Sequence, residues 1–510
     1  MNALIKVESK KKITLKSFIN VLILICVSSV LSFVIIRFNK DFFNLHNKKI
    51  FYSLTIAFSF INVFMTYVLV KFVILNKKLE FHKKYFFVAL YIGLFFMILT
   101  PFGNGADELS HFQRIYEISN GHFLTPFDGE EQIPESIENY IKAPKENSEF
   151  SYAEFKTYMF SKLEPENKID VKYAWVNTSL YAPIQYIPQT IGIFIGRILN
   201  LPIGVIGYLG RICGFIAWLL ITTYAIKIVP NKNLFFATIM LLPIGIGYAV
   251  CLSGDTILNA TVLLLICYIY KLWKCKNKIN KKEYYTIFML SAIISLCKVV
   301  YLPIILAILF IPTECFKDKK DKFKKLGVII IVSGILALTW YKISSIYLNG
   351  YYGKSSGQIE YILKNPIEYI AIMIRTVARY FLVFMQYSSR VDMPPIISFA
   401  FWMITIMCLF ASKSETRNIT KKQKLWYIFI AISTTILIET AIYVQFTAMT
   451  VSVGSQVVDG IQSRYFIPII ILAGLVVNKK RLDVKEENLF ISLIVLYLFI
   501  FTEVYKYYLI

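Results

Sequence analysis

The sequence predicts an all-α integral membrane protein of about thirteen transmembrane helices with a large extracytoplasmic loop. Three observations carry this expectation. The chain is 57% hydrophobic and only 17% charged, a balance unlike that of a soluble domain. Apolar runs long enough to cross a hydrocarbon core of about 30 Å recur from one end to the other. Lysines gather in the short polar intervals between those runs, the habit of cytoplasmic loops. The net charge of +23 is therefore read as a topology signal, and nucleic acid is excluded as a partner.

The elements follow in order. A basic segment, MNALIKVESKKKITLKSF, leads into the apolar run Ile19 to Ile36 with no small-residue cleavage site, so an uncleaved signal anchor with a cytoplasmic N-terminus is expected. Spans at 17–36, 50–75 and 85–101 then bring the chain to the outer side. Lys77, Lys78, Lys83 and Lys84 mark the cytoplasmic turn between the second and third. The polar interval 102–179 holds fourteen acids and seven bases, net −7 in a chain of +23, and is placed outside. It is long enough for short helices of its own.

Parity then tests the scheme. If 179–199 and 204–229 both crossed, the loop carrying Lys271, Lys274, Lys276, Lys278, Lys281 and Lys282 would fall outside. Laying 179–199 along the outer surface as an interfacial helix repairs this loop and those at Lys317 to Lys325, Lys413 to Lys424 and Lys479 to Lys485. The segment 366–388, interrupted by Arg375 and Arg379, is treated likewise. One interval, Arg37 to Lys49, is basic yet falls outside. Two N-terminal helices thus occupy 1–84, and a membrane domain occupies 85–510 with its extracytoplasmic loop at 102–203. Cys26, Cys213, Cys251, Cys267 and Cys297 lie in or at the end of apolar runs, as does Cys408. Cys275 and Cys315 lie in lysine-rich loops. No disulfide framework or zinc site is indicated.

Candidate chemistry begins where the third span ends, at TPFGNGADELSHFQRIYEISNGHF. Pro101, Gly103 and Gly105 make a turn, and a helix follows in which Asp107, His111 and Arg114 share one face beside Glu108. A carboxylate half-removed from water is expected to have a raised pKa, suited to taking a proton from a hydroxyl. The plainer reading of Asp107 and Glu108 is capping of that helix. Asp255 opens a later apolar span, with Asn259 one turn on, and capping by Ser253 or Asp255 is again the plainer reading. Outer basic residues form a third group: Lys298, Arg375, Arg379, Arg390 and Arg464, the last followed by Tyr465. Guanidinium groups suit phosphate oxygens, and snorkelling to headgroups is the alternative. His46, His82 and His122 show no ligand spacing. No P-loop, nucleophile elbow or zinc-protease motif occurs.

The segment PFGNGADELSHFQRIYEISNGHFL resembles the defining stretch of a bacterial membrane-protein family, domain of unknown function 2142. YAPIQYIPQTIGIFIGRIL, SGDTILNATVLLLI, KVVYLPIILAILFIP and QSRYFIPIIIL resemble that family in the same order, from about Phe87 to Val477. The family is in turn similar to type-C glycosyltransferases, which take sugars from polyprenyl-phosphate carriers. The resemblance implies that Asp107-Glu108, the stretch Tyr181 to Gly196 and Arg211 fill the places of those enzymes' acidic pair, interfacial helix and following arginine. It implies Asp107 as general base, Glu108 as its partner or a metal ligand, and Lys298 and Arg464 as contacts to the carrier phosphate. A divalent cation is compatible, with no dedicated motif.

The expectation is a membrane glycosyltransferase of the bacterial cytoplasmic membrane with an extracytoplasmic active site. It moves a sugar from a polyprenyl-phosphate carrier to an envelope glycan or lipid acceptor among membrane lipids. His111, Arg114, Asp255, Asn259, Lys298, Arg375, Arg379, Arg464 and Tyr465 are the expected substrate contacts. Two rivals remain: a flippase or transporter of lipid-linked saccharide, for which no matching halves are found, and a polysaccharide polymerase or ligase.

Overall fold

The computed structural model describes residues 25–29, 31–33, 36, 48–105, 107–124, 132–146, 159–170, 176–274, 278–346, 353–381, 393–411, 419–477 and 482–509. Most of the expected first span, much of the basic interval Arg37 to Lys49, and Arg390 and Cys275 lie outside the described residues.

Two compact units are present: Met1–Leu79 with Phe490–Ile510, and Glu80–Leu489. Within the first, helix α1 (Lys48–Leu69) carries Thr55, whose hydroxyl meets that of Tyr505 at 2.9 Å, and Phe58, whose ring stacks on the Tyr505 ring. The second unit holds the family of helices that builds the site. Among the described residues it is helical apart from two paired three-residue strands, β1 (Gln132–Pro134) and β2 (Lys168–Asp170), antiparallel within the 102–179 interval.

Seven helices among the described residues are long and apolar enough to cross a membrane. Among the described residues, prolines also break several apolar runs into shorter helices. Pro243 begins a new short helix, Pro243–Ala249, directly after Asn233–Met240, and Pro303 and Pro468 each sit in the first turn of a short helix. Proline cannot continue a helix from the preceding turn but fits its first position.

Helix α2 (Phe81–Leu99) ends where Thr100 turns extended ahead of Pro101. Lys83 and Lys84, expected in a loop, lie in its first turn, and Lys84 is buried against Glu486 at 2.6 Å. Helix α3 (Glu108–Ser119) follows the glycine turn. The expected interfacial segment 179–199 is a short 3₁₀ turn, Pro183–Tyr186, running into α4 (Ile187–Ile198). Twelve residues rise about 18 Å, too little to cross alone. Helix α5 (Ile203–Ile228) returns alongside α4. Gly192 permits this approach, since a Cβ there would lie 2.3 Å from the Leu209 carbonyl oxygen.

Helix α6 (Asp255–Lys274) is apolar all round and buried over nearly its whole length, the mark of a central helix. It opens on Asp255 and closes on Lys271 and Lys274, charges that suit the two ends of its dipole. Capping boxes at Asn280–Glu283 and Thr420–Gln423 start α7 (Lys281–Cys297) and, further along, α8 (Lys421–Ile442). The second expected interfacial segment, 366–388, is described as the helix Pro366–Phe381. The apolar core beneath the site joins Phe102, Phe112, Ile115, Tyr186, Ile206 and Leu252.

Candidate functional site

The loop that ends α2 is held by one buried ion pair. Glu108 accepts hydrogen bonds from Gly103 N (2.9 Å), Gly105 N (3.1 Å) and Leu252 N (3.0 Å). The Arg211 guanidinium on α5 adds two more at 2.6 Å each. Arg211 also donates to the carbonyls of Thr100 (2.7 Å) and Pro101 (3.1 Å), satisfying groups left over at the end of α2. Both side chains are fully buried, with the Phe102 and Tyr208 rings over the guanidinium. A carboxylate offers about four lone-pair directions, and five donors take them. Glu108 thus ties the glycine turn, Arg211 and Leu252 together, a role in the fold. Arg211 is the other half of this lock.

Asp107 differs sharply. It is the residue before α3 and adopts a left-handed backbone conformation, φ 59°, which Asp tolerates better than most residues. Its Oδ2 accepts from Arg464 Nη2 (2.7 Å) and Gln462 Nε2 (2.8 Å). Its Oδ1 takes no hydrogen bond among the described residues, and 47% of the side chain stays exposed. Burial by the surrounding walls pushes the carboxyl up. The Arg464 charge, His111 and the hydrogen bonds from Gln462 and Arg464 outweigh it and hold Asp107 below its ordinary value. The expected raised pKa is thus reversed, because an arginine sits on the carboxylate.

Behind Asp107 the charges continue inward. Arg464 Nε lies 2.9 Å from Asp255 Oδ2, and Lys298 Nζ lies 2.6 Å from Asp255 Oδ1. Arg464 and Asp255 are each 2% exposed and Lys298 8%, so Asp107 is the open end of a chain of four alternating charges that sum to zero. Tyrosines wall it. The Tyr248 ring centroid lies 4.3 Å from the Arg464 guanidinium, and Lys298 Nζ is between Tyr181 (5.0 Å) and Tyr465 (4.9 Å). Such placements stabilise a desolvated cation. His111 bonds Tyr186 OH through Nδ1 at 2.7 Å and stacks near Tyr181. Burial, then the nearby Arg464 charge, push His111 down to about 4, so it is neutral at pH 7.

The structure thus brings together Asp107, His111, Asp255, Lys298, Arg464 and Tyr465 from four separated stretches. Asn259 is buried one turn beyond Asp255, its Oδ1 without a hydrogen-bond partner among the described residues. Arg114 does not join them. It turns away to Glu117 (3.2 Å) and the Phe123 carbonyl (2.6 Å). Arg375 pairs instead with Glu368 (2.6 Å) and Gln456 on an exposed face, and Arg379 is exposed one turn further on. Tyr181 and Tyr186 fall within the stretch expected as an interfacial helix, and none of Tyr181, Tyr186, Tyr248 and Gln462 is an expected site residue, because aromatics abound in any membrane protein and an amide carries no charge. The proximity of Gln462 to Arg464 in sequence was the one available signal. No group of three His, Cys, Asp or Glu suited to a metal ion occurs among the described residues.

Several apolar spans around a buried, charge-balanced cluster define a multi-pass membrane protein. More particularly, the chain belongs to the family described as predicted membrane protein (DUF2142), whose model matches residues 90–473. No curated protein and no solved structure matches the chain.

Proposed function

We propose that this chain is a membrane glycosyltransferase of the type-C kind. It transfers a sugar from a polyprenyl-phosphate carrier to an envelope glycan or lipid acceptor at the outer face of the bacterial cytoplasmic membrane. In this reading the chain crosses about thirteen times with its N-terminus inside. The observation that carries it is Asp107, an ionised, half-open carboxylate in the turn between α2 and α3, backed by two aromatic-caged cations. A lipid-linked donor needs a reactive group at such a boundary.

The acceptor hydroxyl oxygen bonds to the anomeric carbon while the bond from that carbon to the phosphate oxygen breaks. The electron pair leaves on the phosphate, and the hydroxyl proton passes to Asp107. Arg464 and Lys298 stabilise the departing phosphate charge, and the tyrosine walls pack the sugar.

The test uses purified protein in detergent with a polyprenyl-phosphate sugar, following release of the lipid phosphate. The wild type is expected to consume the donor and Asp107→Asn to lose this while still inserting and remaining monodisperse. Activity retained by Asp107→Asn removes Asp107 as base. No consumption in detergent, with lipid-linked saccharide crossing vesicle membranes instead, replaces the reading by transport. Labelling of a cysteine beside His111 only from the cell interior overturns the sidedness.

A further inference from the structure

The four charges are arranged in a way that makes one of them replaceable. Arg464 divides its guanidinium between two carboxylates: Nε faces Asp255 at 2.9 Å and Nη2 faces Asp107 at 2.7 Å. Asp255 is held on its other oxygen by Lys298 at 2.6 Å, all three of these groups being nearly inaccessible. Asp107 alone is open, and Gln462 Nε2 points at the same Oδ2 from 2.8 Å. Gln462 is oriented in turn by Tyr248, whose hydroxyl donates to its Oε1 at 3.2 Å. With Asp107 swung aside, Arg464 Nη2 and Gln462 Nε2 remain as two preset donors converging on one oxygen position.

We propose that Asp107 is a displaceable anionic plug: a phosphoryl oxygen of the incoming substrate takes its place on Arg464 and Gln462, and the carboxylate so released becomes the proton acceptor. This rests on the phosphate-linked donor of the reading above and adds to it how the site is switched on. In the resting state Asp107 holds the guanidinium and is a poor base. Exchange at Arg464 removes the attractions that keep its proton affinity low and leaves the effect of burial, which acts the other way. Asp107 sits between the glycine turn and the first turn of α3, and the exchange asks only for rotation of its side chain while the backbone stays held by Glu108. Asp255 is a positioning residue that holds the guanidinium by charge, its Oδ2 2.9 Å from Nε without hydrogen-bond alignment, so that Nη2 stays aimed at the exchange point. The exchange precedes the transfer step and leaves its bond changes unaltered: the acceptor oxygen bonds to the anomeric carbon, the bond from that carbon to phosphate oxygen breaks, and the hydroxyl proton passes to Asp107.

The experiment measures binding of farnesyl phosphate and of inorganic phosphate to the purified full chain, wild type against Asp107→Asn, by calorimetry. Asn accepts the left-handed conformation, so the variant keeps its fold, which a melting curve checks. Removing a competing charge of a half-open pair is expected to tighten binding by about fivefold, from an ion-pair contribution of about 1 kcal/mol. Arg464→Gln is expected to abolish binding in either background. Tighter binding of both ligands by Asp107→Asn, with farnesyl phosphate preferred, supports the plug and the lipid donor together. Tighter binding of inorganic phosphate with no gain from the prenyl chain supports the plug and removes the lipid donor. Equal or weaker binding by Asp107→Asn overturns the plug, and wild-type affinity for farnesyl phosphate then decides the lipid reading separately. Binding of neither ligand by either protein overturns both.

Discussion

Glu108→Gln keeps the side chain's size and removes its charge, which makes it a clean probe of the loop that carries Asp107. In the wild type each carboxylate oxygen receives at least two donors: Arg211 Nε and Leu252 N on one, Gly103 N, Gly105 N and Arg211 Nη2 on the other. A carboxamide has one acceptor oxygen and one NH2, so whichever way it turns, two or more N–H groups face another donor. Arg211 is left as a fully buried charge with no counter-ion. Breaking one side of such a pair costs about 3–5 kcal/mol. The assay is the monodisperse fraction of detergent-solubilised protein after heating, and the midpoint is expected to fall by several degrees. Adding Arg211→Met is expected to restore only part of this loss, because the carbonyls of Thr100 and Pro101 also lose their donors. A Glu108→Gln protein as heat-resistant as the wild type, yet inactive, would refute the structural role and return Glu108 to the chemistry.

Other consequences can be measured independently. His111 binds its proton only near pH 4 when folded but near 6.5 when unfolded, so the unfolded chain holds more protons between those values and stability declines as pH drops through that window, by about 3 kcal/mol in all. Asp107, depressed by its ion pair, adds a loss in the same direction at lower pH; melting curves between pH 7.5 and pH 4 check the slope, and His111→Gln is expected to flatten its upper part. Gly192→Ala places a methyl 2.3 Å from the Leu209 carbonyl, so α4 and α5 must part, at about 1–3 kcal/mol, read by the same heating assay. Arg375→Ala removes an ion pair whose partners are 43% and 41% exposed, so its effect on stability is expected below about 1 kcal/mol, with donor turnover unchanged.

The membrane class was legible because burial in lipid demands long apolar runs, and little else produces them. The break after Leu99 and the helix from Glu108 were legible from Pro101, the two glycines and the acidic start. Helix periodicity alone misplaced Arg114, because a long flexible side chain can leave the face its Cα occupies. It turns to Glu117 and the Phe123 carbonyl. The adjacent acids Asp107 and Glu108 read alike in sequence. Only the fold separates them, by bringing Arg211 and Leu252 to one and Gln462 and Arg464 to the other, from more than a hundred to several hundred residues away. For the same reason the expected raised pKa of Asp107 failed: it considered burial and could not know that Arg464 would arrive. Short helices such as Pro243–Ala249, begun by proline, are hard to tell from long spans by hydropathy alone.

The neutrality of the Asp107–Arg464–Asp255–Lys298 chain bears on how such a site changes over generations. Losing any single member leaves an unbalanced charge, and for the three inner positions that charge is sealed from water. Viable descendants should therefore alter these positions two at a time, one acid with one base, with the Asp255–Lys298 couple drifting as a unit and the outer couple under separate selection from whatever enters the opening.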